Sequence, residues 1–224
     1  MMRWDDFRQS KTYDLIAGFP LILWFGYGVM KLRPNLAADA RDILLQPDHL
    51  IFYLRFFALF ASALFNLLLI YLVVVRNRPI KRSPGFGPRL CGVAGTFLGV
   101  AILSLRPLNL SLPWQALAAF LVFAGSLGSA IVLAQLGKAF SILPEARLLV
   151  TSGPYAYARH PLYAMEFITV VGTTIQFAQP WAALLAVGVI ILQVARTIFE
   201  ERVLSDAYPE YAQYQMRVKR FGFI

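Results

Sequence analysis

Six apolar runs, at residues 13–30, 50–75, 90–105, 114–136, 162–177 and 180–199, take up most of this chain. Their backbone polar groups need partners that lipid does not offer, so each run is expected to be a helix. Crossing the hydrocarbon core takes about 20 residues. The third and fifth runs are near the lower limit. The expected fold is therefore all-α, a polytopic transmembrane bundle of five or six spans. Only 15% of the residues are charged and mean hydropathy is +0.61, far from the roughly 25% charge of soluble domains. The chain divides into N-terminal membrane helices (1–136) and a more polar C-terminal region (137–224), within one integrated domain.

Charge orients the bundle. The second loop carries Arg76, Arg78, Lys81, Arg82 and Arg89, the fourth Lys138, Arg147 and Arg159, and the tail Arg202, Arg217, Lys219 and Arg220. The third loop has Arg106 alone, and the fifth has no Lys or Arg. The positive-inside rule then puts both termini and loops two and four in the cytoplasm. The first loop, with Lys31, Arg33 and Arg41 beside Asp39, Asp42 and Asp48, fits less well. Residues 1–14 read as a cytoplasmic amphipathic lead-in without the layout of a signal peptide. The net charge of +9 suits contact with anionic lipid. Nucleic-acid binding is not expected, because no basic helix or aromatic platform lies outside the runs.

The single cysteine, Cys91, excludes an internal disulfide, and two histidines, His49 and His160, are too few for an all-histidine metal centre. Gly92, Gly95 and Gly99, and Gly125, Gly128 and Ser129, have the small-residue spacing of close helix packing in lipid. No strand-glycine-helix unit marks a dinucleotide fold. Gly85-Phe86-Gly87 reads as a turn.

Polar residues gather where the last two runs meet water. His160-Pro161 follows Arg159 at the start of the fifth run. Proline suits the first turn of a helix, so His160 falls at the N-terminus, beside unpaired N–H groups that favour an anion. Tyr163 and Glu166 follow at helical spacing, and Glu166 needs a partner at its apolar depth. On the sixth run Gln193, Arg196 and Glu200 form one polar stripe. Arg196 offers a planar fork for a carboxylate or phosphate, and Glu200 a partner for an ammonium group. An interfacial histidine, a belt tyrosine and an intrahelical Arg–Glu pair are the structural alternatives. Glu201 points about a hundred degrees away from Glu200, toward a loop.

The segment Leu149-Val150-Thr151-Ser152-Gly153-Pro154-Tyr155, then Arg159-His160-Pro161-Leu162-Tyr163, then Glu200-Glu201 and Tyr208-Pro209-Glu210-Tyr211-Ala212-Gln213-Tyr214 resembles the isoprenylcysteine carboxyl methyltransferase family, which is related to the membrane phospholipid N-methyltransferases. The resemblance covers residues 136–224. It implies S-adenosylmethionine as methyl donor, bound at the cytoplasmic face by His160, Pro161, Leu162, Tyr163, Tyr155, Glu200 and the backbone of Arg147, Leu149 and Val150. It implies that Arg196 faces a lipophilic acceptor, a carboxylate in the isoprenylcysteine enzymes. Arg147 stands where the eukaryotic pattern has a histidine, and Glu166 is no part of that pattern. An amine or thiol acceptor needs a base, for which Glu166 is the nearest candidate. A phospholipid or small-thiol methyltransferase, a nicotinamide-dependent membrane lipid reductase and a non-catalytic lipid-binding protein are the other readings.

Overall fold

The computed structural model describes residues 11–222; residues 1–10 of the expected lead-in lie outside it. Among the described residues, seven α-helices form the frame. They are α1 (Lys11–Leu45), α2 (Leu50–Val75), α3 (Gly87–Ile102), α4 (Leu112–Leu136), α5 (Pro161–Ile175), α6 (Trp181–Ala207) and the short α7 (Tyr211–Arg217). Helix α1 packs on α2, α2 on α4 and α4 on α5, while α6 packs mainly on α3. Large apolar side chains such as Phe19, Phe60, Phe120 and Ile191 remain exposed. A lipid-facing surface requires this pattern, since hydrocarbon gives no reason to hide them.

Among the described residues, four helices are long and apolar enough to cross a membrane: α1, α2, α6 and α4 with the turn that follows it. Helices α3 and α5, with 16 and 15 residues, are shorter than these four and fall below the roughly 17 residues at the low end for a spanning helix. The first run departs from expectation. Helix α1 does not stop at Met30 but continues through Pro20 and Pro34 to Leu45, so Lys31, Arg33, Asp39 and Arg41 are helical and no loop forms there. Its continuation lies along α2, where Arg55 reaches the fully buried Asp39 across 2.7 Å. A buried carboxylate without that partner would be costly.

Glycines set the closest helix contact, as their spacing suggested. A Cβ on Gly125 of α4 would stand 2.9 Å from the Met165 carbonyl of α5, and one on Gly172 of α5 would stand 2.8 Å from the Val122 nitrogen of α4. The backbones meet only because neither residue has a side chain.

The loops sort to opposite ends. A two-stranded ribbon, β1 (Lys81–Arg82) with β2 (Glu145–Ala146), joins loops two and four. At the other end Leu108 donates to the Gln176 carbonyl, and Ala178 to that of Arg106, joining loops three and five. This is the alternation that the basic residues required.

Candidate active site

His160 is the N-cap of α5 and Pro161 its first residue, as the Arg-His-Pro order suggested. The tail fixes this entrance. Arg159 and His160 donate their backbone N–H groups to the carbonyls of Lys219 and Arg220. Below them Glu201, 6% exposed, accepts from Arg220 at 3.0 and 2.8 Å and lies 3.1 Å from His160 Nε2. Arg159 approaches the same carboxylate at 3.4 Å. A carboxylate held by two guanidiniums is an acceptor only, so Nε2 donates to it, while Nδ1 lies 3.8 Å from Glu200 Oε2. His160 thus stands between two carboxylates.

Glu201 does meet a loop, as its direction implied, but it is buried at the centre of the entrance. Sequence reasoning gave it no task. Its signal lay in Arg220, whose long-range pairing no spacing rule reveals. Here the hydrogen bonds to Glu201 hold the Arg220 guanidinium above its ordinary pKa.

Tyr211 and Tyr214 of α7 are buried with Val218 against Leu149 and Leu204. The Tyr214 hydroxyl donates to the Tyr155 carbonyl at 2.6 Å. Burial pushes the Tyr214 phenol up to about 12, with Arg159 opposing, so it remains a donor at neutral pH. Burial likewise raises Tyr155 and Tyr211. The Tyr208–Tyr214 stretch is therefore the clamp that positions residues 149–155.

On α6, Arg196 Nε and the Tyr163 hydroxyl both donate to Glu200 Oε1, at 2.9 and 2.7 Å. The second arm of Arg196 donates to the Ser141 carbonyl at 2.9 Å, and its guanidinium lies over the Tyr163 ring, 5.3 Å from the centroid. One helical turn deeper, Gln193 Nε2 donates to Glu166 Oε2 at 2.9 Å.

These groups border two cavities. The smaller, about 90 Å³, is lined by Arg147, Leu149, Val150, Tyr155, His160, Leu162, Tyr163, Arg196 and Glu200, all singled out in the sequence. Pro161 does not line it; it is the first residue of α5, where its missing N–H costs nothing. Arg147 borders it, but its guanidinium is spent elsewhere, on Asp14 at 2.8 and 3.2 Å, on Glu145 at 2.6 Å and on the Asn77 carbonyl. The larger cavity, about 300 Å³, lies among α3, α4, α5 and α6, with Phe25 of α1 and Phe65 and Leu69 of α2 also on its wall, and Glu166 and Gln193 line it. Phe140, Leu162, Tyr163 and Arg196 are common to both. Glu166 is thus separated from the His160–Glu200 group. The glycines of α3, read as packing residues, also leave room for this cavity, since Gly92, Gly95 and Gly99 line it. Phe140, Ser141 and Ser129, the last read as a packing residue, were given no place in the site although they line it. Each depends on where a loop or neighbouring helix lands. Among the described residues, no three His, Cys, Asp or Glu side chains gather as a metal site.

The cobalt-zinc-cadmium resistance protein CzcN of Cupriavidus metallidurans is 40% identical over 76 residues, 33% of this chain and 34% of that protein. The nickel-cobalt-cadmium resistance protein NccN of Alcaligenes xylosoxydans xylosoxydans is 32% identical over 110 residues, 47% of this chain and 51% of that protein. The chain thus spans about a third and about half of these two curated relatives. A family model described as phospholipid methyltransferase matches residues 110–211. The match begins in the loop before α4 and ends at the first residue of α7, so it takes in both cavity-lining helix ends. The stretch that builds the site is thus similar to the phospholipid methyltransferase family, in agreement with the resemblance carried by the His160 and Glu200 motifs.

Proposed function

We propose that the protein is an integral-membrane, S-adenosylmethionine-dependent methyltransferase acting on a lipophilic acceptor, with its site and both termini on the cytoplasmic side. The observation that carries this reading is the pair of cavities meeting at Tyr163 and Arg196. One is charged and lies at the loop end, and the other is apolar and lies among the helices. A polar methyl donor and an apolar acceptor need such neighbouring compartments.

The donor set of the smaller cavity fits the cofactor by chemistry. Glu200 can take the ammonium group. Backbone N–H groups at the start of α5 suit a carboxylate. Leu149, Val150 and Tyr155 offer apolar walls to a base. When bound, S-adenosylmethionine supplies an electrophilic methyl group on a sulfonium. The protein's own task is then alignment and exclusion of water. At about 90 Å³ the space is below the ~300–1,000 Å³ of small-molecule sites. Loading therefore requires Glu200 to exchange Tyr163 and Arg196 for the ligand. Arg196, released from Glu200, is then free to face the larger cavity.

Isothermal titration of the purified protein with S-adenosylmethionine and, separately, NADPH tests the reading. A methyltransferase prefers the first. A preference for NADPH establishes the reductase, and binding of neither leaves a lipid-binding protein. Incubating membranes with methyl-labelled S-adenosylmethionine, followed by mass spectrometry, identifies the product.

A further inference from the structure

One wall of the smaller cavity has little regular structure of its own. Between Phe140 and Ser152 the one regular element is the short strand β2, so the shape of this stretch depends on what its side chains hold. The Arg147 guanidinium is wholly buried. It donates to Asp14, to Glu145 and to the Asn77 carbonyl. The residues that follow it, Leu148, Leu149 and Val150, line the cavity.

Asp14 serves two arginines at once. Its Oδ1 accepts from Arg76 Nη2 at 3.1 Å and from Arg147 Nη2 at 2.8 Å. Its Oδ2 accepts from Arg76 Nε at 3.0 Å and from Arg147 Nη1 at 3.2 Å. The acceptor capacity of the carboxylate is thereby filled. An asparagine has the same shape, but its amide nitrogen, in either orientation, would face one N–H of each arginine. Among the described residues, Asp14 is the one acid paired with both Arg76 and Arg147. Asp14, Arg76 and Asn77 all lie outside the matched residues 110–211. The wall of the cavity is thus held by parts of the chain that the family match does not reach.

We infer that Asp14 is a positioning residue for the methyl donor. From α1 it fixes the Arg147 guanidinium, and the fixed side chain sets the backbone of residues 147–150 against which the donor binds. The inference rests on reading the smaller cavity as the donor site. Asp14 itself touches no donor atom. It keeps the wall formed before the donor arrives, and the apparent Kd rises as the fraction of molecules with a formed wall falls.

Loss of this cluster also weakens the bundle, so affinity must be read apart from folding. The full chain is purified in one detergent as wild type, Asp14→Asn, Arg147→Lys and Arg76→Lys. Unfolding midpoints are measured first. S-adenosylmethionine is then titrated calorimetrically well below the lowest midpoint, where every variant is folded. Arg76→Lys is the control. Arg76 is buried on the same carboxylate, but it caps α2 and does not lead into the cavity. All three variants should unfold at lower temperature. Asp14→Asn should bind the donor about tenfold more weakly, as expected if the wall is formed in about a tenth of the molecules. Arg147→Lys keeps its charge but loses the fork that reaches several partners, and should bind at least about threefold more weakly. Arg76→Lys should bind as wild type does. Surface plasmon resonance should place the loss in the association rate, because the bound donor meets the same closed wall. A role in stability alone leaves the affinity of the folded protein unchanged. Wild-type affinity in both Asp14→Asn and Arg147→Lys, or an equal loss in Arg76→Lys, overturns the inference. If Asp14→Asn does not elute as a folded species, Arg147→Lys against Arg76→Lys decides. Binding by wild type without these losses sinks this inference alone, and no binding by wild type sinks the methyltransferase reading.

Discussion

Asp14, in the first turns of α1, accepts hydrogen bonds from Arg147, 133 residues later, at 2.8 and 3.2 Å. The same carboxylate takes Arg76 at 3.0 and 3.1 Å. Both guanidiniums and the carboxylate are almost wholly buried. The N-terminal helix thereby holds the segment whose next residues, Leu149 and Val150, line the smaller cavity.

Removing Asp14 should therefore destabilise the whole bundle. Asp14→Ala leaves two buried cations facing one another, with Glu145 as the remaining anion for Arg147. The expected loss is about 3 kcal/mol, near the lower end of the range for breaking a buried pair. Unfolding of wild type and variant in one detergent measures it. Equal stability would mean that solvent reaches this cluster.

Gly125→Val should separate α4 from α5. The added side chain meets the Met165 carbonyl and the Thr169 backbone nitrogen, neither of which is a flexible chain end. Overpacking of this kind costs about 1–3 kcal/mol or more. Gly26→Ala, where a Cβ meets nothing within 4 Å, is the control and should change the midpoint of thermal unfolding little.

Glu200 and Glu201 should fail differently. With Glu200 taking the cofactor ammonium as proposed, Glu200→Gln should remove a charge-assisted contact worth about 1.5–3 kcal/mol, or roughly a 10- to 150-fold weaker affinity. Glu201→Gln loosens Arg159, His160 and Arg220 from one another and should cost about 2 kcal/mol of stability, with proteolysis of the tail as its first sign. Affinity and unfolding midpoints of both variants decide. An unchanged affinity in Glu200→Gln removes Glu200 from the cofactor site.

Arg196→Lys should harm turnover more than cofactor binding. In the proposed loaded state Arg196 is released from Glu200 and presents its planar fork to the larger cavity, and a lysine ammonium cannot reproduce that fork. Freeing Glu200 does not weaken its hold on an ammonium group, so affinity should fall less than threefold while turnover falls at least about tenfold. Equal losses would place Arg196 on the cofactor instead.

Cysteines introduced at Ser83, Ser152 and Gln213 of a Cys91→Ala protein should all be labelled from the cytoplasmic side only. Ser83 donates its backbone N–H to the Pro144 carbonyl, so loops two and four lie at one end whichever way the bundle points. Labelling of all three from outside would invert the orientation, and a mixed result would break the alternation of the loops.

The sequence by itself determined the helical membrane fold, the short third and fifth helices, and the His160 and Glu200 group at the helix ends. Each follows from local chemistry. Apolar runs must satisfy their backbone internally, proline starts a helix, and residues three or four apart share a face. Tertiary structure alone decided that α1 runs on to Leu45, because Arg55 of α2 lies beside Asp39. It turned the Arg147 guanidinium toward Asp14, buried Glu201 under the tail, and placed Glu166 with Gln193 in a cavity apart from His160. These are pairings of charges and hydrogen-bonding groups far apart in the chain. Their partners are fixed by which helices pack together, and no periodicity within one helix records that choice.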